Sequence, residues 1–113
     1  GSPTYAADLA EMTIHILQFS EDQEWKTGVY HFSNRGETTW YRFAEAIKKY
    51  TGISTCELAP IASDEYPSAA QRPAYSVMNL SKTTSTFRVE IPEWKEALCR
   101  CLRKLEPGVQ NLE

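Results

Sequence analysis

The chain has 113 residues, 42% of them apolar and 24% charged, enough for one ordinary globular core and too few for a two-domain enzyme with its own nucleotide-binding half. Twelve Lys and Arg stand against 15 Asp and Glu, and a net charge of −3 argues against a nucleic-acid binder, whose footprint is a basic excess or stripe. No apolar run approaches the roughly 18 residues that span a bilayer, and no secretory pattern opens the chain, so no membrane insertion is expected.

The first helix is expected to open at Ser2-Pro3-Thr4, where proline suits a helix start and a hydroxyl can cap free N–H groups. Tyr5, Leu9, Met12, Ile16 and Phe19 then follow as one helical stripe, with Asp8 near the positive end of the helix dipole. The polar, acidic run from Ser20 to Glu24 reads as a solvated connection. Gly28-Val29-Tyr30-His31-Phe32 has β character and is closed by the turn residues Ser33-Asn34-Arg35-Gly36. A second helix is capped by Thr38 or Thr39, buries Trp40, Phe43, Ala44 and Ile47, and stops at Gly52 after Lys48 and Lys49.

Residues 53–61 read as a strand ending near Pro60, and residues 63–75, rich in proline, as a long loop of the kind that is usually functional or disordered. Residues 76–80 read as a short extended piece, followed by a Thr-rich turn or poor helix over 81–86. The last helix begins at Pro92, and Trp94, Ala97, Leu98, Cys101, Leu102 and Leu105 form its apolar face. Lys95, Arg100, Arg103 and Lys104 lie outside that face, and Pro107-Gly108 ends the helix. The sum is an α+β unit of about three amphipathic helices and two or three short strands over residues 1–111, with Leu112-Glu113 set aside as a cloning scar.

The three cysteines, Cys56, Cys99 and Cys101, do not make a disulfide framework. Cys99 and Cys101 project about 200° apart on a helix and cannot grip one metal, so the reading is buried thiols in a reducing cytoplasm and no metal site. There is no glycine-rich phosphate loop. The Tyr and Lys spacing of hydride-transfer enzymes is also missing, since Tyr41 is followed by Glu45 and Tyr50 by Ser54. His15 and His31 have no neighbouring nucleophile motif and read as structural. No catalytic or cofactor-binding residue is therefore assigned. The stretches left for binding are residues 2–8, 35–40 and 66–79. Within the last, Pro73 holds Arg72 in extended geometry, and a stiffly displayed guanidinium fork suits a diphosphate; a surface or ion-paired arginine is the alternative. Trp40 could stack on a base or sugar, but its register with Phe43 and Ile47 assigns it to the core.

Four ordered motifs resemble one family. Gly1-Ser2-Pro3-Thr4 with Asp8-Leu9-Ala10 is similar to the "G-x-P-T…D-L-A" segment of the dTDP-4-dehydrorhamnose reductases, and Asn34-Arg35-Gly36-Glu37-Thr38-Thr39-Trp40-Tyr41-Arg42-Phe43-Ala44 to their "N-x-G-x-x-[ST]-W-Y-x-F-A". Pro67-Ser68-Ala69-Ala70-Gln71-Arg72-Pro73-Ala74-Tyr75-Ser76 resembles their "P-x-x-A-x-R-P-x-x-S" loop. Ile91-Pro92-Glu93-Trp94-Lys95-Glu96-Ala97-Leu98 resembles their closing helix. Met78-Asn79 stand where the family often has Leu-Asp, and Thr83 where it has Leu.

The resemblance implies the C-terminal substrate-binding part of an extended short-chain dehydrogenase/reductase, without the N-terminal Rossmann half that supplies NAD(P)H and the catalytic groups. That half and a dTDP-sugar would be its partners, with a homo-oligomer also open. It implies substrate contacts from Arg72, Ser2, Thr4 and Ser76, with helix capping an equal explanation of Ser2 and Thr4. The parent reaction it implies is reduction of the 4-keto group of dTDP-6-deoxy-L-lyxo-4-hexulose to dTDP-L-rhamnose. A regulatory or scaffolding relative, like the β subunit of methionine adenosyltransferase, is the second reading.

Overall fold

A computed structural model describes residues 1–105, and among them the regular elements are the α-helices α1 (Ala6–Asp22), α2 (Trp40–Thr51), α3 (Ser81–Phe87) and α4 (Trp94–Leu105), with a single 3-10 turn at Ser63–Glu65. Helix α2 follows its local signals. The Thr39 hydroxyl accepts from the Arg42 N–H at 3.2 Å, Lys48 and Lys49 sit in the last turn, and Gly52 takes the left-handed conformation at φ 71°. Helix α1 starts later than its hydroxyls suggest: Tyr5 is the capping residue and no side chain of its own caps the helix.

The helices pack in two pairs. In the first, α2 lies on α4, where Trp94, Leu98 and Leu102 form a buried cluster that takes Phe43, Ala46, Ile47 and Tyr50 against it. Cys99, on the flank of the expected face, is also buried, while Leu105 is exposed and Cys101 half-buried. In the second pair α1 lies on α3. Phe87, at the end of α3, meets Phe19 edge-on at 5.6 Å and the Tyr30 ring at 4.8 Å. His15 is structural, as read: its Nε2 donates to the Phe87 carbonyl at 2.8 Å, satisfying a carbonyl that the end of α3 leaves free.

The α+β expectation is not met, because the described residues contain no strand ladder beyond one isolated parallel bridge between Arg35 and Glu93. The alternation in residues 28–32 is real, but its partner is a helix. The Val29 carbonyl accepts from Lys82 Nζ and the His31 carbonyl from the Thr83 hydroxyl, both on α3. Two carbonyls that a neighbouring strand would have paired are satisfied instead by side chains of α3. Residues 53–61 and 76–80, read as strand and extended piece, likewise form no strand. The Thr-rich stretch is a helix, opened by Asn79, whose side-chain oxygen accepts from the Ser81 N–H at 2.9 Å and the Ser81 hydroxyl at 2.6 Å.

Two further expectations change. Trp40 is 80% exposed, since it is the first residue of α2 and projects before the packed turns begin. Cys56 is exposed, because the segment that carries it is not a core strand. The expected stop at Pro107-Gly108 and the trailing Leu112-Glu113 lie outside the described residues.

Candidate functional site

The first five residues run alongside residues 34–38 in the opposite direction. The Gly1 amino group donates to the Thr38 carbonyl at 3.0 Å, and the Thr38 N–H returns a bond to the Gly1 carbonyl at 2.9 Å. The Ser2 hydroxyl donates to the Gly36 carbonyl at 2.6 Å, and the Tyr5 N–H donates to Asn34 Oδ1 at 2.8 Å. Gly36 is required by both its backbone and its surroundings: φ is 89°, and a Cβ would lie 2.7 Å from Glu93 Oε2 and 2.9 Å from Trp94 Cδ1. Neighbouring Arg35 ties this clasp to the start of α4, donating its N–H to the Pro92 carbonyl at 2.9 Å and accepting from the Trp94 N–H at 3.0 Å.

The third motif segment closes on the same place. Gly1 and Ser76 are in close contact, a Cβ on Gly1 lying 3.1 Å from the Ser76 Oγ. Tyr75 faces Glu37, whose negative charge, with desolvation, pushes the phenol up from its ordinary value. The structure thus brings Ser2 and Ser76 together around Gly1. Thr4 stands exposed with its hydroxyl turned to the Ser2 carbonyl at 3.2 Å. Neither hydroxyl caps α1, which removes the capping explanation of Ser2 and Thr4. Arg72 is exposed on the 67–76 loop and has no ion pair among the described residues.

Under the clasp lies a polar cluster that sequence reasoning missed. Asn34 is completely buried, and its amide nitrogen donates to Asp8 Oδ2 at 2.7 Å and to the Pro92 carbonyl at 3.4 Å. Asp8 is also buried and receives both terminal nitrogens of Arg100, each at 2.7 Å. Arg100 donation holds the Asp8 carboxyl below its ordinary value; burial opposes the shift, while Asn34 donation and the arginine's charge assist it. One signal was available: Asp8 falls on the apolar stripe between Tyr5 and Met12, where a carboxylate needs a buried partner. Nothing local identified that partner as Arg100.

The described residues do not build a dinucleotide site. Such a site needs a glycine-rich turn between a parallel strand and a helix, whereas Gly28, Gly36 and Gly52 stand singly and no strand ladder is present among them. Among the described residues no cluster of metal-ligating side chains occurs, and no helix is long and apolar enough to cross a membrane.

Three motif-bearing segments of this helical unit, residues 1–4, 36–38 and 75–76, thus converge on one polar clasp. The model of the RmlD substrate binding domain matches residues 1–106, and the chain belongs to that family. It is 33% identical to a dTDP-4-dehydrorhamnose reductase of Burkholderia thailandensis, over 93% of this chain and 39% of that protein. A crystal structure of a dTDP-4-dehydrorhamnose reductase ortholog from Clostridium acetobutylicum superposes with a TM-score of 0.82 at 32% identity, covering 94% of this chain and 36% of that one. The reductase of Bacillus anthracis, solved in complex with NADP, gives a TM-score of 0.80 at 33% identity over 92% of this chain and 35% of that one. The chain therefore spans little more than a third of the length of the relatives it matches.

Proposed function

We propose that residues 1–111 are the nucleotide-sugar-binding part of a cytoplasmic, NAD(P)H-dependent dTDP-4-dehydrorhamnose reductase. Its substrate would be dTDP-6-deoxy-L-lyxo-4-hexulose and its product dTDP-L-rhamnose. The observation that carries this reading is the convergence of residues 1–4, 36–38 and 75–76, three segments that also hold the reductase-like motifs. Ser76 offers a hydroxyl to sugar or phosphate oxygens at that place, while Ser2 and Thr4, whose hydroxyl protons go to the Gly36 and Ser2 carbonyls, offer oxygens that accept from sugar hydroxyls. Arg72, on the same loop as Ser76, offers a guanidinium fork to the diphosphate. The hydride would come from a cofactor held by an N-terminal nucleotide-binding half, so the chain alone is expected to turn nothing over.

Calorimetric titration of dTDP and dTDP-rhamnose tests the reading. Binding that weakens in Arg72→Ala supports it, and no binding of either ligand overturns it. Substrate-dependent NAD(P)H oxidation by the chain alone would overturn the assignment of hydride chemistry to another part of the enzyme.

A further inference from the structure

We propose that Asn34 is a positioning residue, set by Asp8 and Arg100, that fixes the backbone of residues 1–5 and with it the placement of the Ser2 and Thr4 hydroxyls. The inference rests on the proposal that those hydroxyls meet a nucleotide-sugar, and it adds the residues that aim them.

The argument turns on which way a buried amide faces. An asparagine side chain is nearly symmetric in shape, but one end accepts hydrogen bonds and the other donates. Asn34 lies between an obligate donor, the Tyr5 N–H at 2.8 Å, and an obligate acceptor, the ionised Asp8 carboxylate at 2.7 Å. Only one orientation satisfies both. The reverse would set two donors against each other at Tyr5 and two acceptors against each other at Asp8, buried and away from water.

Asp8 can dictate the orientation because it stays charged, and it stays charged because Arg100 grips both its oxygens. The Arg100 guanidinium also lies 5.7 Å from the centre of the Tyr5 ring, so it holds both the side chain of Tyr5 and, through Asp8 and Asn34, its backbone. Tyr5 is the hinge between helix α1 and the segment that reaches Ser2 at Gly36 and Gly1 at Thr38. A side chain on α4, remote in sequence from the clasp, therefore controls its register.

The test uses the 113-residue chain carrying Asn34→Ala, Asp8→Asn or Arg100→Lys, with two readouts taken well below the melting temperature. The first is hydrogen exchange of the Tyr5 amide against that of amides within α4. The second is calorimetric affinity for dTDP-rhamnose. Exchange at Tyr5 is expected to quicken at least tenfold in Asn34→Ala and Asp8→Asn while α4 stays protected, and affinity to fall roughly tenfold from misplaced hydroxyls. Arg100→Lys, which keeps the charge without the fork, is expected to fall between these variants and the unaltered chain.

Affinity unchanged in the folded variants, or Tyr5 exchange that rises only together with that of α4, overturns the proposal and leaves a purely structural cluster. Should a variant fold too poorly to titrate, the milder Arg100→Lys decides by the same two readouts. An unaltered chain that takes up neither dTDP nor dTDP-rhamnose overturns the functional reading, and this proposal with it. Equal affinity in variant and unaltered chain overturns this proposal alone.

Discussion

Arg100, in the middle of α4, donates from both terminal nitrogens to the two oxygens of Asp8 near the start of α1, 92 positions earlier in the chain. The pair bridges the two helix couples, since α1 packs on α3 and α4 on α2. It is asymmetric: the aspartate side chain is 4% exposed and the arginine 33%. Removing the arginine therefore strands a buried charge, which water reaches poorly.

Arg100→Ala is expected to lower stability by about 2–4 kcal/mol, somewhat under the figure for a fully buried pair because the guanidinium is partly solvated. Arg100→Lys is expected to recover part of the loss. Urea unfolding monitored by tryptophan fluorescence measures both.

Acid should weaken the fold through Asp8. Its carboxyl is held below the ordinary value of 3.8, chiefly by Arg100 donation, so the folded state binds the proton less readily than the unfolded chain. The stability this adds is fully present above the ordinary value and is lost as the pH falls through the lowered folded one. Asp8→Asn is expected to be less stable at neutral pH and to lose less on acidification, between about pH 5 and pH 2. Melting temperatures across that range, compared with the unaltered chain, check it.

Gly36→Ala and Gly52→Ala form a matched pair. Both positions have positive φ, but a Cβ at Gly36 runs into Glu93 and Trp94, whereas at Gly52 nothing lies within 4 Å. Gly52→Ala is expected to cost about 1 kcal/mol from backbone strain alone, and Gly36→Ala roughly 2–4 kcal/mol. Equal costs in denaturant unfolding would refute the crowding at Gly36.

Arg72→Ala is expected to leave the melting temperature unchanged, since the residue is exposed and has no ion pair among the described residues. A bidentate diphosphate contact contributes on the order of 1.5–3 kcal/mol, so dTDP-rhamnose binding should weaken about ten- to a hundredfold. Arg72→Lys should restore part of it. A fall in melting temperature at unchanged affinity would return Arg72 to a structural role.

The two tryptophans at the starts of α2 and α4 should behave in opposite ways. Trp94 is buried, and its replacement by alanine is expected to cost about 3–5 kcal/mol; Trp40 is 80% exposed, and its replacement should stay within roughly 0.5 kcal/mol. Denaturant midpoints of the two variants decide.

Features encoded within a turn or two of chain were legible in the sequence. Helix α2 was readable from Thr39 to Gly52 because its cap, its apolar spacing and its left-handed stop are all local. The motifs around Gly1, Gly36 and Arg72 were legible as short ordered strings, and with them the family. What tertiary structure alone decided were the partners of groups far apart in the chain. Alternation at Val29 and His31 signals an extended backbone, but whether a strand or a helix satisfies those carbonyls depends on closure against Lys82 and Thr83, more than 50 positions on. Asp8 reads from the sequence only as an acid near the positive end of a helix dipole, and the cation that grips it lies on α4 at a position whose local pattern faces solvent. Hydrogen bonds and ion pairs of this kind leave no periodic trace, because their geometry exists only after the chain has closed its long loops.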